Sequence, residues 1–329
     1  MQRAMVAALV APFAILLATL SASAQEPSAK QDWPTKPVRI VVPFAAGATP
    51  DLVARLIAEN LQDKTSQTFI VENKPGASGN TGTDIVAKAD PDGTTIGVSI
   101  GGPLAINTLL FGNLPYDPKK DLSLITMLVT QPSALAVNSS LGVNSAAELI
   151  ALIKRNPGKY TYGSIGTGSL SQLAMEAIAL KADTKLVHVP YPSSPQAIQA
   201  LIRNDVQMVC LPAISITPQL GGGAIKLVAV STAQRSALLP GVPTLKEAGI
   251  DVEADAWSGL VGPAGLPDAM VRQIGQLVGD AITSRAIREK LTTQLMEPVP
   301  DSPADFRAHI DADIARWTPV INAANIKIN

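Results

Sequence analysis

The stretch VVPFAAGATPDLVARLIAENL, residues Val41 to Leu61, decides the fold of this protein. It opens with an apolar run that is typical of a strand covered on both faces. It closes with apolar residues at helical spacing, which predict a helix over residues 50–62. Thr49 is expected to cap this helix and Pro50 to be its first residue. A strand that turns directly into a helix is the repeating unit of α/β folds with parallel sheets.

The same alternation continues along the 329 residues. Apolar or alternating runs predict strands at 38–42, 67–72, 95–100, 159–162, 186–189, 205–211 and 225–230. Helical spacing and caps predict helices over 79–89, 170–181 and 195–203, and helices that begin at the capping pairs Ser145–Glu148 and Thr244–Glu247. The predicted fold class is therefore α/β.

Two long extended segments, 125–138 and 251–262, are predicted to cross between two lobes. The first domain is then discontinuous and contains residues 25–130 and 258–329, while the second contains residues 131–257. Two α/β lobes joined by two strands leave a cleft, which is a usual place for a small ligand.

The first 24 residues have the pattern of a secretory signal peptide: Arg3, an apolar run and a small-residue cleavage site at Ala22–Ala24. We therefore expect an exported, soluble protein of the periplasm. The formal net charge of −1 offers no basic excess for nucleic acid. The single cysteine, Cys210, cannot form an internal disulfide and is expected to be a buried small apolar residue.

Small residues precede two of the predicted helices and indicate anion binding. The loop 45–48 lies before the N-terminus of helix 50–62, where free N–H groups and the helix dipole favour an anion. The loop 163–169 lies before helix 170–181 and adds hydroxyl groups, and the loop 76–80 is a third candidate. Each loop could instead be only a tight turn. Asp51 either complements the helix dipole or orders the first loop through its N–H groups.

Catalytic and cofactor motifs are weak. His188 and His309 are the only histidines, no cluster has the spacing of a zinc site, and Ser169 stands where a phosphate-binding loop needs lysine. We expect no cofactor, no metal and no enzyme activity. Two alternatives stay open: a ligand sensor for a membrane receptor, and a secreted hydrolase that uses a serine of loop 163–169 with a histidine as base.

Several long strings resemble one family. WPTKPVRIVVPF (33–44), VENKPGASGN (71–80), LPYDP (114–118), HVPY (188–191) and LPGVPT (239–244) are similar to the substrate-binding proteins of tripartite tricarboxylate transporters, the Bug family. The resemblance implies a two-lobed, Venus-flytrap (type II-like) periplasmic protein that binds a small carboxylate. It also implies the membrane components of such a transporter as partners, and we expect a monomer.

Carried onto this sequence, the resemblance places the carboxylate between segments 44–49 and 164–171. Leu211 and Pro212 stand where the family often has an acidic residue, which disfavours an amino acid and leaves room for an apolar or aromatic body. Trp257 is expected to line the pocket or to pack at the hinge. The candidate ligand-binding residues are Phe44, Ala46, Gly47, Ala48, Thr49, Asp51, Ser78, Ser164, Gly166, Thr167, Ser169, Ser171, Tyr191 and Leu211.

Overall fold

The computed structural model describes residues 33–328, and the predicted signal peptide lies outside them. The strands of this part of the chain are β1 (Val38–Val42), β2 (Phe69–Asn73), β3 (Thr95–Ile100), β4 (Leu122–Gln131), β5 (Ser133–Asn138), β6 (Thr161–Ser164), β7 (Val187–Pro190), β8 (Met208–Pro212), β9 (Ile225–Val230), β10 (Ala256–Pro263) and β11 (Glu297–Pro298). The α-helices are α1 (Thr49–Thr65), α2 (Asn80–Ala87), α3 (Asn107–Leu110), α4 (Ala146–Lys154), α5 (Leu170–Lys181), α6 (Ser194–Ile202), α7 (Ala213–Ile216), α8 (Asp268–Ile282), α9 (Arg285–Thr293) and α10 (Pro303–Ala324).

The strands form two sheets, each with helices against it, so the fold is two-lobed α/β. The first lobe is built on a six-stranded sheet in the order β11-β4-β10-β3-β1-β2, and the second on a five-stranded sheet in the order β7-β6-β8-β5-β9. Strands β1, β2 and β3 are parallel to one another, as are β6, β7 and β8. The loops that follow parallel strands therefore gather at the carboxyl edge of each sheet, where α/β proteins bind ligands.

The chain passes from the first sheet to the second within one residue. Strand β4 ends at Gln131, and β5 begins at Ser133. The chain returns before β10, which pairs antiparallel with both β3 and β4. Pro132 cannot donate a hydrogen bond to a ladder, so it suits the point where one sheet ends and the next begins.

Helix α10 contacts the cores of both lobes. Its Phe306 and Ile310 pack in an apolar cluster with Val41 of β1. Two turns further along the helix, Trp317 packs in the cluster that contains Tyr162 of β6. A helix of 22 residues is about 33 Å long, so it can serve two cores. No local sequence pattern predicts this double contact.

Most predicted elements form close to their expected bounds, and two details of the helix predictions are wrong. Ala48, not Thr49, is the N-cap of α1, so Thr49 is already the first helical residue. The Thr244–Glu247 capping pair forms, but it closes only a turn. Gly249 at φ +84° adopts the left-handed conformation that ends helices, and it does so before a helix can extend. No helix of residues 33–328 is long and apolar enough to cross a bilayer.

Candidate functional site

A cavity of about 440 Å³ lies between the carboxyl edges of the two sheets. The first lobe contributes the loop before α1, the segment after β3 and the start of β10. The second lobe contributes the loop before α5 and the end of β8. The cavity has apolar walls, formed by Ile100, Ile106, Val129, Ile165, Leu170, Trp257 and Ile328. This arrangement suits a small ligand with an apolar body and few polar groups.

The loop before α1 presents backbone without side-chain oxygens. The N-cap Ala48 has no hydroxyl to accept a hydrogen bond from the first turn. Pro50 has no N–H and the Asp51 N–H donates to the Ala48 carbonyl, so among the described residues the Thr49 N–H is the first-turn group of α1 that is left for an anion in the cavity. Ala48 and Thr49 line that cavity.

Asp51 holds this loop from behind the cavity. Its carboxylate accepts hydrogen bonds from the Gly47 N–H at 2.8 Å and from Asn73 Nδ2 at 2.9 Å, and it pairs with Arg55 at 3.0 Å. The side chain is almost fully buried. Burial raises the pKa of Asp51, but the hydrogen bonds from Arg55, Gly47 and Asn73 outweigh it and leave the pKa below its ordinary value. Asp51 therefore stays ionised and orders the loop, which is the second of the two roles that the sequence left open.

The loop before α5 is built from hydroxyl groups. Ser169 caps the helix, and Gln172 Oε1 accepts the Gly168 N–H at 2.7 Å. The Ile165 N–H donates to Ser171 Oγ at 3.0 Å, and this oxygen lies 2.9 Å from Ser169 Oγ. The second lobe thus faces the cavity with an oxygen-rich helix start, whereas the first lobe faces it with plain backbone.

The third small-residue loop also reaches the cavity, through Ser78. The backbone carbonyl of Ser78 accepts a hydrogen bond from Asn107 Nδ2 at 3.2 Å. The Asn107 side-chain amide also donates to Asn80 Oδ1 at 2.6 Å. Asn107 lines the cavity too, although the sequence analysis did not select it. An asparagine at the start of the short helix α3 carries no local sign of a binding role.

The structure brings half of the predicted residues to the cavity wall. Those that line it are Phe44, Ala48, Thr49, Ser78, Thr167, Ser169 and Ser171. Asp51, Ser164 and Gly166 lie behind this wall and hydrogen-bond the loops. Ala46 and Gly47 are exposed and do not belong to the lining. A side chain at Gly47 would meet no atom within 4 Å, and its φ of +82° shows that this glycine is needed for the turn.

Two predicted residues lie away from the cavity. Leu211 is fully buried in an apolar cluster on the other face of β8, because successive side chains of a strand point to opposite faces. Its neighbour Cys210 lines the cavity instead, with only 1% of its surface exposed. Burial raises the pKa of the Cys210 thiol to about 12, so the thiol is unreactive at neutral pH. Tyr191 packs against the Leu211 cluster.

The crossing segments and the C-terminal part of the chain supply residues that sequence reasoning did not assign to the site. Gln131, Ser133, Asp255 and Asp313 all line the cavity. Trp257, which the resemblance had indicated, donates from Nε1 to Asp313 Oδ2 at 2.7 Å. Asp313 lies more than 50 positions after Trp257, and no local pattern links the two.

One serine and one histidine of the second lobe are in contact. His188 Nε2 lies 2.6 Å from Ser164 Oγ, and the imidazole stacks on Tyr162. Burial lowers the pKa of His188, so it is neutral at pH 7. Ser164 is fully buried and its oxygen also contacts Gly166, so it is not presented to the cavity. Within residues 33–328, no group of histidine, cysteine or acidic side chains could hold a metal ion.

Comparison with known proteins finds a family model and solved structures that match most of this chain. The model of the tripartite tricarboxylate transporter family receptor matches residues 53–326. Rpa4515 of Rhodopseudomonas palustris, solved with adipate, is 34% identical, with a TM-score of 0.78 over 90% of this chain and 99% of its own. MatC of the same species, solved with bound malate, is 29% identical, with a TM-score of 0.72 over 88% of this chain and 99% of its own.

A third solved structure, that of the periplasmic binding protein BugD, is 28% identical. Its TM-score is 0.73, and the match covers 90% of this chain and 99% of BugD. The likeness thus extends over most of this chain and nearly all of BugD.

Proposed function

The chain belongs to the tripartite tricarboxylate transporter receptor family, and from this premise we propose that it is a periplasmic solute-binding protein that captures a small carboxylate. One observation carries the proposal: two helix N-termini, those of α1 and α5, come from different lobes and meet at one cavity. A carboxylate between them would receive first-turn N–H groups from both sides without a lysine or arginine.

The cavity suits the rest of such a ligand. Its walls are mainly aliphatic, with Phe44 and Trp257 as aromatic members. Two related proteins were solved with the carboxylates adipate and malate. We propose that the carboxylate contacts Ala48, Thr49, Ser169 and Ser171, and that the apolar body packs between the lobes.

The cellular setting follows from the family and from the N-terminal sequence. The predicted signal peptide would be removed on export, and the mature protein would act in the periplasm as a monomer. It would deliver its ligand to the membrane components of a tripartite tricarboxylate transporter. The buried position of Ser164 supports a structural role for its contact with His188, so we propose binding without catalysis.

We also propose that residues 131–257 form the moving second domain, with hinges where the chain crosses near Gln131 and Trp257. Closure of two lobes about two crossing strands is a common response to ligand binding. The loops before α1 and α5 would approach each other in the closed state and bury the carboxylate.

The test is a screen of the purified mature protein against mono- and dicarboxylates, each paired with its uncharged amide as a control. A carboxylate at 100 times its Kd should stabilise the protein by about 2.7 kcal/mol, and the amide should not stabilise it. Small-angle scattering with a saturating carboxylate should show a smaller radius of gyration. Equal stabilisation by acid and amide would contradict the carboxylate site, and an unchanged radius would contradict closure alone.

A further inference from the structure

Asp255 is a cavity-lining carboxylate whose bonding is incomplete. It lies just before β10, where the chain returns to the first sheet, and its side chain is partly exposed. Within the described part of the chain, its Oδ1 atom is buried and has no hydrogen-bond partner. A carboxylate oxygen in such a place loses its water without replacement, which is costly unless a donor arrives.

The surroundings of Asp255 make a cation the best donor. Burial is the main cause that raises the pKa of Asp255 to about 7. The charge of Glu253 acts in the same direction, while Arg316 and the Ser231 hydroxyl act against it. Arg316 is the compensating charge, but its guanidinium already pairs with Glu253 at 3.2 Å and with Asp313. This end of the cavity therefore carries more negative than positive charge.

The charged and ionisable groups around Asp255 come from several elements. They are Glu253 of the same segment, Glu297 of β11, Asp313 and Arg316 of α10, and the thiol of Cys210 in β8. Asp313 accepts the Trp257 N–H and pairs with Arg316, so it is already bonded. Asp255 is the acidic residue of the cavity lining whose hydrogen bonding is incomplete.

We propose that Asp255 binds an ammonium group of the ligand, so that the bound molecule is a carboxylate that also carries a protonated amine away from its anchored end. This inference rests on the proposed function, because the carboxylate must first be held by the loops before α1 and α5. An ammonium group donates the missing hydrogen bond and neutralises the local negative charge. Asp255 thereby supplies, from another segment, the acidic group that Leu211 and Pro212 do not provide.

The competing arrangement is a second carboxylate that accepts a hydrogen bond from a protonated Asp255. It would place another anion near Asp313 and Glu253, and like charges at close range in a poorly solvated site repel one another. A neutral hydroxyl would satisfy the oxygen but would leave the charge uncompensated. Matched probes with a carboxylate or an ammonium group at the far end separate the second carboxylate from the amine.

The experiment is calorimetry at pH 8 with matched probes whose backbones contain four to six carbons. For the longest length these are hexanoate, adipate and 6-aminohexanoate, which share one carboxylate and differ only at the other end. The proteins are the parent, Asp255→Asn, which keeps the shape and removes the charge, and Glu253→Gln as a control. Glu253 contributes a nearby charge but does not line the cavity.

The parent should bind the best amino-carboxylate at least tenfold tighter than the matching monocarboxylate. Asp255→Asn should abolish this preference and change monocarboxylate affinity less than threefold, while Glu253→Gln should retain the preference. Binding of the amine should also release protons at pH 7 from the parent but not from Asp255→Asn. That readout is independent of affinity, because it reports the ionisation of Asp255 itself.

Three results would overturn the inference. A parent that binds mono- or dicarboxylates with no preference for the amine refutes it and leaves the proposed carboxylate function intact. Loss of the preference in Glu253→Gln as well would assign the selectivity to the general charge of this region and not to Asp255. No binding of any probe, together with a failed carboxylate screen, would overturn both proposals.

Discussion

The loops before α1 and α5 hold the same place in the two lobes but are built differently. The first has an alanine at the N-cap and gains its order from Asp51, which reaches Gly47 from behind. The second has Ser169 at the N-cap and is ordered by hydroxyl groups and by the Gln172 amide, which belongs to the first turn of α5. The comparison shows that a loop before a helix can be ordered by a buried charge behind it or by local side chains. The two constructions should fail in different ways when they are perturbed.

The largest effect is expected for Asp51→Asn. The variant loses the charge that pairs with Arg55, and its amide places a donor near Asn73 or the Gly47 N–H. Hydrogen bonds to charged groups contribute roughly 1.5–3 kcal/mol, so we expect a stability loss of about 2 kcal/mol. Carboxylate affinity should fall at least tenfold, because the backbone of the first loop is no longer held. Urea denaturation and calorimetry measure the two effects.

The pH dependence of Asp51 gives an independent readout. Its pKa in the folded protein lies below the ordinary value of 3.8. Its contribution to the free energy of unfolding is therefore fully present above pH 3.8 and disappears as the pH falls through the lower folded pKa. The stabilities of the parent and Asp51→Asn should therefore differ at pH 7 and converge as the pH is lowered below about 3.8. The control is Glu289→Gln, which removes an exposed i,i+4 ion pair with Arg285 and should change the stability little at any pH. A constant difference between parent and Asp51→Asn down to the lowest pH would refute the electrostatic role.

An intermediate effect is expected for Ser169→Ala. Loss of a serine N-cap costs about 1 kcal/mol of stability, and carboxylate affinity should fall by roughly fivefold, about 1 kcal/mol. Ser145→Ala is a matched control, because Ser145 caps α4 with the same reciprocal hydrogen bonds but does not line the cavity. Ser145→Ala should lose the same stability and retain full affinity. Equal binding by both variants would show that Ser169 only caps its helix.

The smallest effect is expected for Thr49→Val. Thr49 follows the N-cap and its hydroxyl does not cap α1, so stability should change by less than about 0.5 kcal/mol. Affinity should fall by only a few-fold, since one neutral hydrogen bond contributes about 1 kcal/mol. Thermal denaturation decides between this expectation and the sequence-based one, in which Thr49 caps the helix. A stability loss like that of Ser169→Ala would restore Thr49 as the cap.

Local sequence was sufficient to predict most elements and the two small-residue loops, before α1 and α5, that reach the cavity. The bounds predicted for β1, β3, β9 and α5 agree with the structure, because each depends on apolar periodicity and on adjacent caps or turns. The two loops could be predicted for the same reason, because their small residues stand directly before a helix start in the sequence. The Thr244–Glu247 pair shows the limit of that reasoning. The pair forms as predicted, but Gly249 ends the turn before a helix can form.

Sequence by itself therefore determined the α/β class, the alternation of strands and helices, and the two helix starts that meet at the cavity. Only the tertiary structure decided which side chains share the cavity. Side chains alternate between the two faces of β8, so Leu211 packs in the core and Cys210 lines the cavity. The register of β8 in its sheet decides which of the two residues faces the cavity. Asp255 and Asp313 reached the same cavity from segments that no local pattern connects. The physical reason is that capping and periodicity act over a few residues, whereas a binding site is formed by packing between distant parts of the chain.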